Sequence, residues 1–370
     1  MSSTITEQQT SPETEGAQPV QPGPATTAKQ ERTFPAGKTA EEFRAMALPK
    51  KEPLIEGLLY RRDLVAFAGR RRNGKTSILL QLALSLTTWG SSGFLGHNIP
   101  QKRRVLIYLL EDDSRELQDR LNRMLESMED AGDTEGRLVI RTKDDFHLNG
   151  VPIGVAHKQF REVVEEDCKS HKPDLILFDN LGFLVAPEYN EASVIHEYIS
   201  FVIYLSQKFD CAIITAAHPR KQGNGKDAVT LENSRDMFFE EVMGSSHFVN
   251  SCGSLWGIER TKEGHSNFYA GTQRLSGSAQ PMGVEMDDEG WFCICDNFDV
   301  NFKLFVHTDQ RKKAWDALPS TFTYTEAREA TKSILKSKNS FTPFWNGIKR
   351  LKLAVPVEKD EKGERFRKAQ

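Results

Sequence analysis

Leu64-Val65-Ala66-Phe67-Ala68 runs directly into Gly69-Arg70-Arg71-Arg72-Asn73-Gly74-Lys75-Thr76-Ser77. The first run is apolar and of strand length. The two glycines bound a tight loop, and residues 75–88 carry a helical pattern of apolar positions. A glycine-bounded loop ending in Gly-Lys-Thr, set between a strand and a helix, is the arrangement that wraps the phosphates of a nucleoside triphosphate. The glycines let backbone N–H groups close around the β-phosphate, and the helix N-terminus adds its dipole. Lys75 would bridge β- and γ-oxygens, and the Thr76 hydroxyl would ligate Mg²⁺.

A site of this class also needs a carboxylate behind the metal. Leu175-Ile176-Leu177-Phe178-Asp179 supplies an apolar strand that ends in Asp. An Asp in that place also serves as a helix cap, but beside the phosphate loop metal support is the stronger reading. Asn180 follows, so the general base does not sit next to Asp179. Glu111 closes the apolar run 105–110 and precedes Asp112 and Asp113. If that strand neighbours the phosphate-loop strand, Glu111 stands at the same sheet edge, within reach of an attacking water. Asp112 or Asp113 would then cap the helix that begins near Ser114.

Strand patterns recur at 64–68, 105–110, 138–141, 175–179, 212–217 and 255–259, with helical patterns between them at 75–88, 115–128, 155–168 and 192–209. Alternation of this kind predicts an α/β fold, a mostly parallel sheet flanked by helices, with ligands beyond the carboxyl ends of the strands. Residues 1–38 hold five prolines and one aromatic, Phe34. They cannot bury enough apolar surface to offset ordering entropy and read as a disordered leader. Thr39-Ala40-Glu41-Glu42 has capping-box spacing, so order is expected to start there. The expected division is a leader at 1–38, an ATPase domain at 39–300 and a basic domain at 301–370.

The charge balance supports that division. The chain of 370 residues has a net charge of −3, which excludes a uniformly basic nucleic-acid coat. From Phe302 onward there are 16 Lys and Arg against 8 Asp and Glu, so polyanion contact is expected at the C-terminal end. No stretch has the length of a membrane span, and the N-terminus lacks the order of a signal peptide. Five thinly spread cysteines fit a reducing compartment. Cys293 and Cys295 share one strand face with no second pair nearby, which argues against zinc. A cytoplasmic protein without membrane contact is the expectation.

Leu54-Ile55-Glu56-Gly57-Leu58-Leu59, the phosphate loop, Tyr108-Leu109-Leu110-Glu111-Asp112, the run ending in Asp179, the run 212–218 ending in His218, and Gly244-Ser245-Ser246 follow in this order. Together they resemble the RecA-like ATPases of the RepA type, the hexameric replication helicases and AAA ATPases of plasmids and phages, over about residues 40–290. The resemblance implies a RecA-like fold, ATP and Mg²⁺ as cofactors, Glu111 as catalytic base and His218 as a sensor of the γ-phosphate. A buried structural histidine is the alternative for His218. The stretch 219–242, with Arg220, Lys221 and Lys226, would line the channel of a homo-oligomeric ring and touch single-stranded DNA phosphates, or form a solvated loop. Arg260, with Lys262 nearby, matches the place of an arginine finger given to the neighbouring subunit. Two features depart from the family. Met243 stands where relatives usually carry Arg, and Arg70, Arg71 and Arg72 replace the commoner small or hydrophobic residues. Those arginines face solvent, a neighbouring subunit or nucleic acid.

Beyond residue 300, helices are predicted at 312–318 and 325–335, then a third started by Thr342 and Pro343, then a hairpin over 354–357 and 363–367. This is similar to a winged helix-turn-helix domain. Asn346, Lys349, Arg350 and Lys352 would meet duplex DNA, with Lys359, Lys362, Arg365 and Arg367 on the wing. A protein-docking winged helix is the rival reading. The sequence as a whole predicts an ATPase motor or switch acting on DNA in plasmid or phage replication. A DNA-binding regulator or helicase loader without unwinding is the alternative.

Overall fold

The computed structural model describes residues 37–48, 50–88, 93–128, 134–185, 192–219, 229–232, 234–242, 246–261, 264–272, 281–296, 298–306, 309–360 and 363–369. The chain divides into two units, Met1–Lys50 and Lys51–Gln370. In the first, helix Ala40–Ala45 opens at Thr39 with the expected capping box. Thr39 Oγ1 accepts from the Glu42 N–H, and the Glu42 carboxylate accepts from the Thr39 N–H.

In the second unit an antiparallel pair, β1 (Pro53–Ile55) and β2 (Leu59–Tyr60), leads into β3 (Leu64–Gly69). The sheet that β3 enters has nine strands. The others are β4 (Val105–Leu109), β5 (Leu138–Thr142), β6 (Leu175–Asp179), β7 (Ala212–Ala217), β8 (Ser254–Arg260), β9 (Ser266–Thr272), β10 (Met282–Met286) and β11 (Phe292–Ile294). Their spatial order is β11-β10-β9-β8-β3-β7-β6-β4-β5. From β8 to β5 all pairs are parallel, and β9 to β11 continue from β8 as an antiparallel meander. The parallel part is made of the six strands whose apolar runs are visible in the sequence.

Strand alternation shows why this sheet is covered on both faces. Along β3, Val65 and Phe67 enter one apolar cluster while Ala66 and Ala68 enter the other. On β6, Leu175 and Leu177 take the first face and Ile176 and Phe178 the second. A period of two with apolar residues on both sides requires helices above and below. Helix Lys75–Thr87 covers the first face, and helices Lys158–His171 and Ala192–Phe209 cover the second. Parallel pairing brings the carboxyl ends of β3, β4, β6, β7 and β8 to one edge, where the loops carry the candidate chemistry.

After β11 come helices Phe298–Phe305 and Asp309–Asp316, β12 (Thr321–Thr323), helices Tyr324–Thr331 and Lys338–Arg350, and the pair β13 (Ala354–Asp360) and β14 (Gly363–Lys368). The three strands form an antiparallel sheet in the order β12-β14-β13. Trp345 centres their core, edge-on to Tyr324 at 5.1 Å and to Phe366 at 5.2 Å between ring centroids. The third helix does not start at Thr342 and Pro343 as expected. It starts at Ser337, where Ser337 and Ser340 form a reciprocal cap, and Pro343 lies in its second turn. A cap that satisfies end N–H groups outranks a proline signal that satisfies none. Among the described residues no helix is long and apolar enough to cross a membrane.

Candidate functional site

Gly74 closes the loop after β3 in a left-handed conformation, φ 86°, and opens helix Lys75–Thr87 with no side chain capping it. The end N–H groups of that helix are therefore not taken by a cap and are suited to an anion. A second constraint holds Gly74. A Cβ there would stand 2.5 Å from the ring of Phe292 on β11. Gln81, one and a half turns into the helix, grips the Phe292 backbone at both ends. Its amide donates to Phe292 O at 2.9 Å and its carbonyl accepts from Phe292 N at 2.8 Å. Neither Gln81 nor Phe292 was expected at the site from sequence, because each acts through the fold of β11 against the helix.

Lys75 is buried. Its ammonium donates to Gly69 O at 2.8 Å and to Arg70 O at 3.3 Å, and lies 3.0 Å from His218 Nδ1. An ammonium cannot accept, so in the neutral imidazole Nδ1 receives this bond and the ring proton sits on Nε2. Nε2 lies 3.2 Å from Glu111 Oε2. Asn180 Nδ2 donates to the same oxygen. Glu111 is not on a strand beside β3 as expected. Its strand, β4, is separated from β3 by β7 and β6. The carboxylate still joins the site because His218 follows β7 and Asn180 follows β6, so each intervening strand end supplies a bridging side chain. Asp113 caps helix Ser114–Glu126 through the Arg115 N–H, and Asp112 pairs with Arg120 at 3.3 Å. Glu111 has no part in that cap.

Thr76 Oγ1 donates to Asp179 Oδ2 at 2.6 Å. Burial pushes the Asp179 carboxyl above its ordinary range, against the pull of the Thr76 hydroxyl and Lys75. Burial likewise lowers Lys75, opposed by Asp179 and Glu111. Glu111 moves the other way. The His218 hydrogen bond holds it below the usual carboxylate value, with burial opposing. A wholly buried carboxylate whose side-chain partner among the described residues is a hydroxyl is a hard-oxygen donor set that a Mg²⁺ ion would relieve. Among the described residues no group of three or more His, Cys, Asp or Glu could hold a metal. Thr76 and Asp179 would hold Mg²⁺ together with phosphate oxygens and water. When bound, the metal would neutralise charge on the β- and γ-phosphates.

Of the loop arginines, Arg71 and Arg72 are exposed, and Arg72 has φ 63°. Arg70 turns inward, donating to Val229 O at 3.1 Å and lying 3.7 Å from Glu259. Glu259 in turn accepts from the Leu231 N–H at 2.8 Å. Asn73 is half-buried and Ser77 buried in the first helical turn. Arg260 is exposed at the end of β8, two positions past Ile258, which pairs with Gly69. Arg220, Lys221, Lys226, Met243, Gly244, Ser245 and Lys262 lie outside the described residues. In the C-terminal segment Asn346, Lys349, Lys352 and Arg367 are exposed. Lys349 lies 3.9 Å from Glu364, Lys352 pairs with Asp296, and Arg365 lies 3.3 Å from Glu326. Lys362 and the side chains of Arg350 and Lys359 are outside the described set.

Strand, glycine loop, helix, a Thr–Asp pair with the Asp buried and a carboxylate at the same edge define a P-loop nucleoside triphosphatase domain. The chain belongs to the AAA_25 family. The model of that family, described as an AAA domain, matches residues 29–224. It therefore carries a P-loop ATPase domain of the AAA type, which takes ATP with Mg²⁺. Among solved structures the chain is similar to the crystal structure of the RadB recombinase, at 14% identity and a TM-score of 0.43, covering 64% of this chain and 92% of that one. It is also similar to the KaiC-like protein PH0186 from the hyperthermophilic archaeon Pyrococcus horikoshii OT3, at 12% identity and a TM-score of 0.44, covering 65% and 93%. Among curated proteins none matches.

Proposed function

We propose that the chain is an ATP-hydrolysing, DNA-associated motor or switch of the RepA-like replicative helicase type, working as a homo-oligomeric ring. The observation that carries this reading is the line of contacts along the sheet edge, Lys75 to His218 to Glu111, beside the Thr76–Asp179 pair. Lys75 would hold the β- and γ-oxygens, and Glu111, kept ionised, would take a proton from the attacking water. His218 touches both and would register whether Lys75 is engaged by phosphate. Arg260, exposed at the same edge, would complete the site of an adjacent subunit.

The DNA part of the reading is supported by the C-terminal order of helix, short strand, two helices and hairpin, together with its basic excess. A second reading is a regulator or loader that hydrolyses ATP without unwinding. It is favoured by Lys349, Lys352 and Arg365 each already facing a carboxylate of the same chain. The test is steady-state ATP hydrolysis with and without single-stranded DNA, alongside Glu111→Gln. Turnover raised by DNA and lost in the variant is expected. Turnover indifferent to DNA would favour the second reading, and normal turnover in Glu111→Gln would reject Glu111 as base.

A further inference from the structure

Glu111 Oε2 receives two bonds, from His218 and from Asn180. Asn180 is buried, 3% exposed, and its carboxamide cannot turn freely. Its Oδ1 accepts from the Gly182 N–H at 2.8 Å, which leaves Nδ2 to donate to Glu111, beside His218 Nε2, the second donor to the same oxygen, 3.3 Å away. Both bonds to Glu111 fall on Oε2, so Oε1 receives neither. We infer that Asn180 is a positioning residue for hydrolysis: anchored by Gly182, its amide fixes the direction of the Glu111 carboxylate so that the other oxygen meets the attacking water. This inference deepens the ATPase reading and rests on it.

The chemistry of the position favours an amide over an acid. Asp179 is buried next door and Glu111 is bonded to the side chain itself. A carboxylate at 180 would face both like charges and disfavour their ionised forms. A neutral donor orients Glu111 without competing with it as a base. The orientation matters because misplacing a reacting group by about 1 Å costs on the order of 100-fold in rate.

Asn180 also opens helix Leu181–Val185, so a purely structural role as a cap has to be separated from positioning. Ser and Asp cap helices about as well as Asn, yet neither offers an N–H to Glu111. The experiment compares the full chain with Asn180→Ser, Asn180→Asp, Glu111→Gln and the Glu111→Gln/Asn180→Ser double variant. Measured are kcat and KM for ATP with and without single-stranded DNA, affinity for a fluorescent ATP analogue, and Tm. In Asn180→Ser we expect kcat to fall about 10- to 100-fold with KM, analogue affinity and Tm near wild type; Asn180→Asp, which also sets a like charge beside Asp179 and Glu111, should lose at least as much kcat and lower analogue affinity as well. In the Glu111→Gln background Asn180→Ser should remove nothing further, since there is no base left to aim. Unchanged kcat in both single variants, or an equal loss in the Glu111→Gln background, would overturn the inference while leaving the ATPase reading intact. An unmodified chain without turnover in any condition would overturn that reading, and this inference with it.

Discussion

His218 addresses Lys75 through one ring nitrogen and Glu111 through the other. Its hydrogen bond is the first cause of the lowered Glu111 pKa, and burial pulls the other way. The sign for catalysis follows. A base with a depressed pKa stays ionised as the pH falls, so the acid limb of kcat/KM lies below that of an ordinary glutamate. His218→Ala removes the largest lowering cause and leaves burial opposed by the charges of Lys75 and Arg71. The expected outcome is an acid limb displaced to higher pH, together with a lower plateau, read from a pH–rate profile of the variant. A limb that stays in place while the plateau drops would assign it to another group. Lys75, Thr76, Asp179 and Glu111 were legible in the sequence because each ends an apolar run or completes a fixed loop pattern. Asn180 was not. Its importance depends on the strand ends of β4 and β6 meeting, and the paired residues are 69 positions apart.

At the scale of elements, the six parallel strands could be read because burial on both faces demands near-continuous apolar runs. The antiparallel strands β9 to β11 of the same sheet could not. β9 reads Ser266-Asn267-Phe268-Tyr269-Ala270-Gly271-Thr272, and its place is set by pairing with β8. β11 has only three residues, yet it reaches the phosphate loop. Gln81 holds it there, and the buried Phe292 N–H and C=O both depend on that amide. Gln81→Leu is expected to lower unfolding free energy by about 2–4 kcal/mol, from buried polar groups losing their partners. Gln81→Glu, which sets a second acceptor and a buried charge against the Phe292 carbonyl, should cost at least as much. Urea unfolding at constant m would show this as a shift in midpoint. A change under about 0.5 kcal/mol would mean that β10 alone holds the strand, as for an ordinary surface substitution.

The whole molecule separates its charge, with an acidic body and a basic excess after residue 301. Its site is also asymmetric. Lys75, His218 and Glu111 contact one another at the sheet edge, while Arg260 sits exposed at the end of β8. In the proposed ring each interface is heterologous, so one subunit's nucleotide would meet the next subunit's Arg260. Arg260→Ala alone should then lose hydrolysis by a large factor, up to about 10³-fold or more. Lys75→Ala alone should lose nucleotide binding. Mixed in equal amounts and allowed to reassemble, the two inactive variants place an intact site against an intact Arg260 at about a quarter of the interfaces. Hydrolysis should return to about that fraction of wild type if interfaces act independently. Glu111→Gln supplies the control partner, because it too carries Arg260 and no base, and it should rescue Arg260→Ala to the same extent. A mixture no faster than its separate components would remove Arg260 from the neighbouring site and leave the ring without its shared active centre.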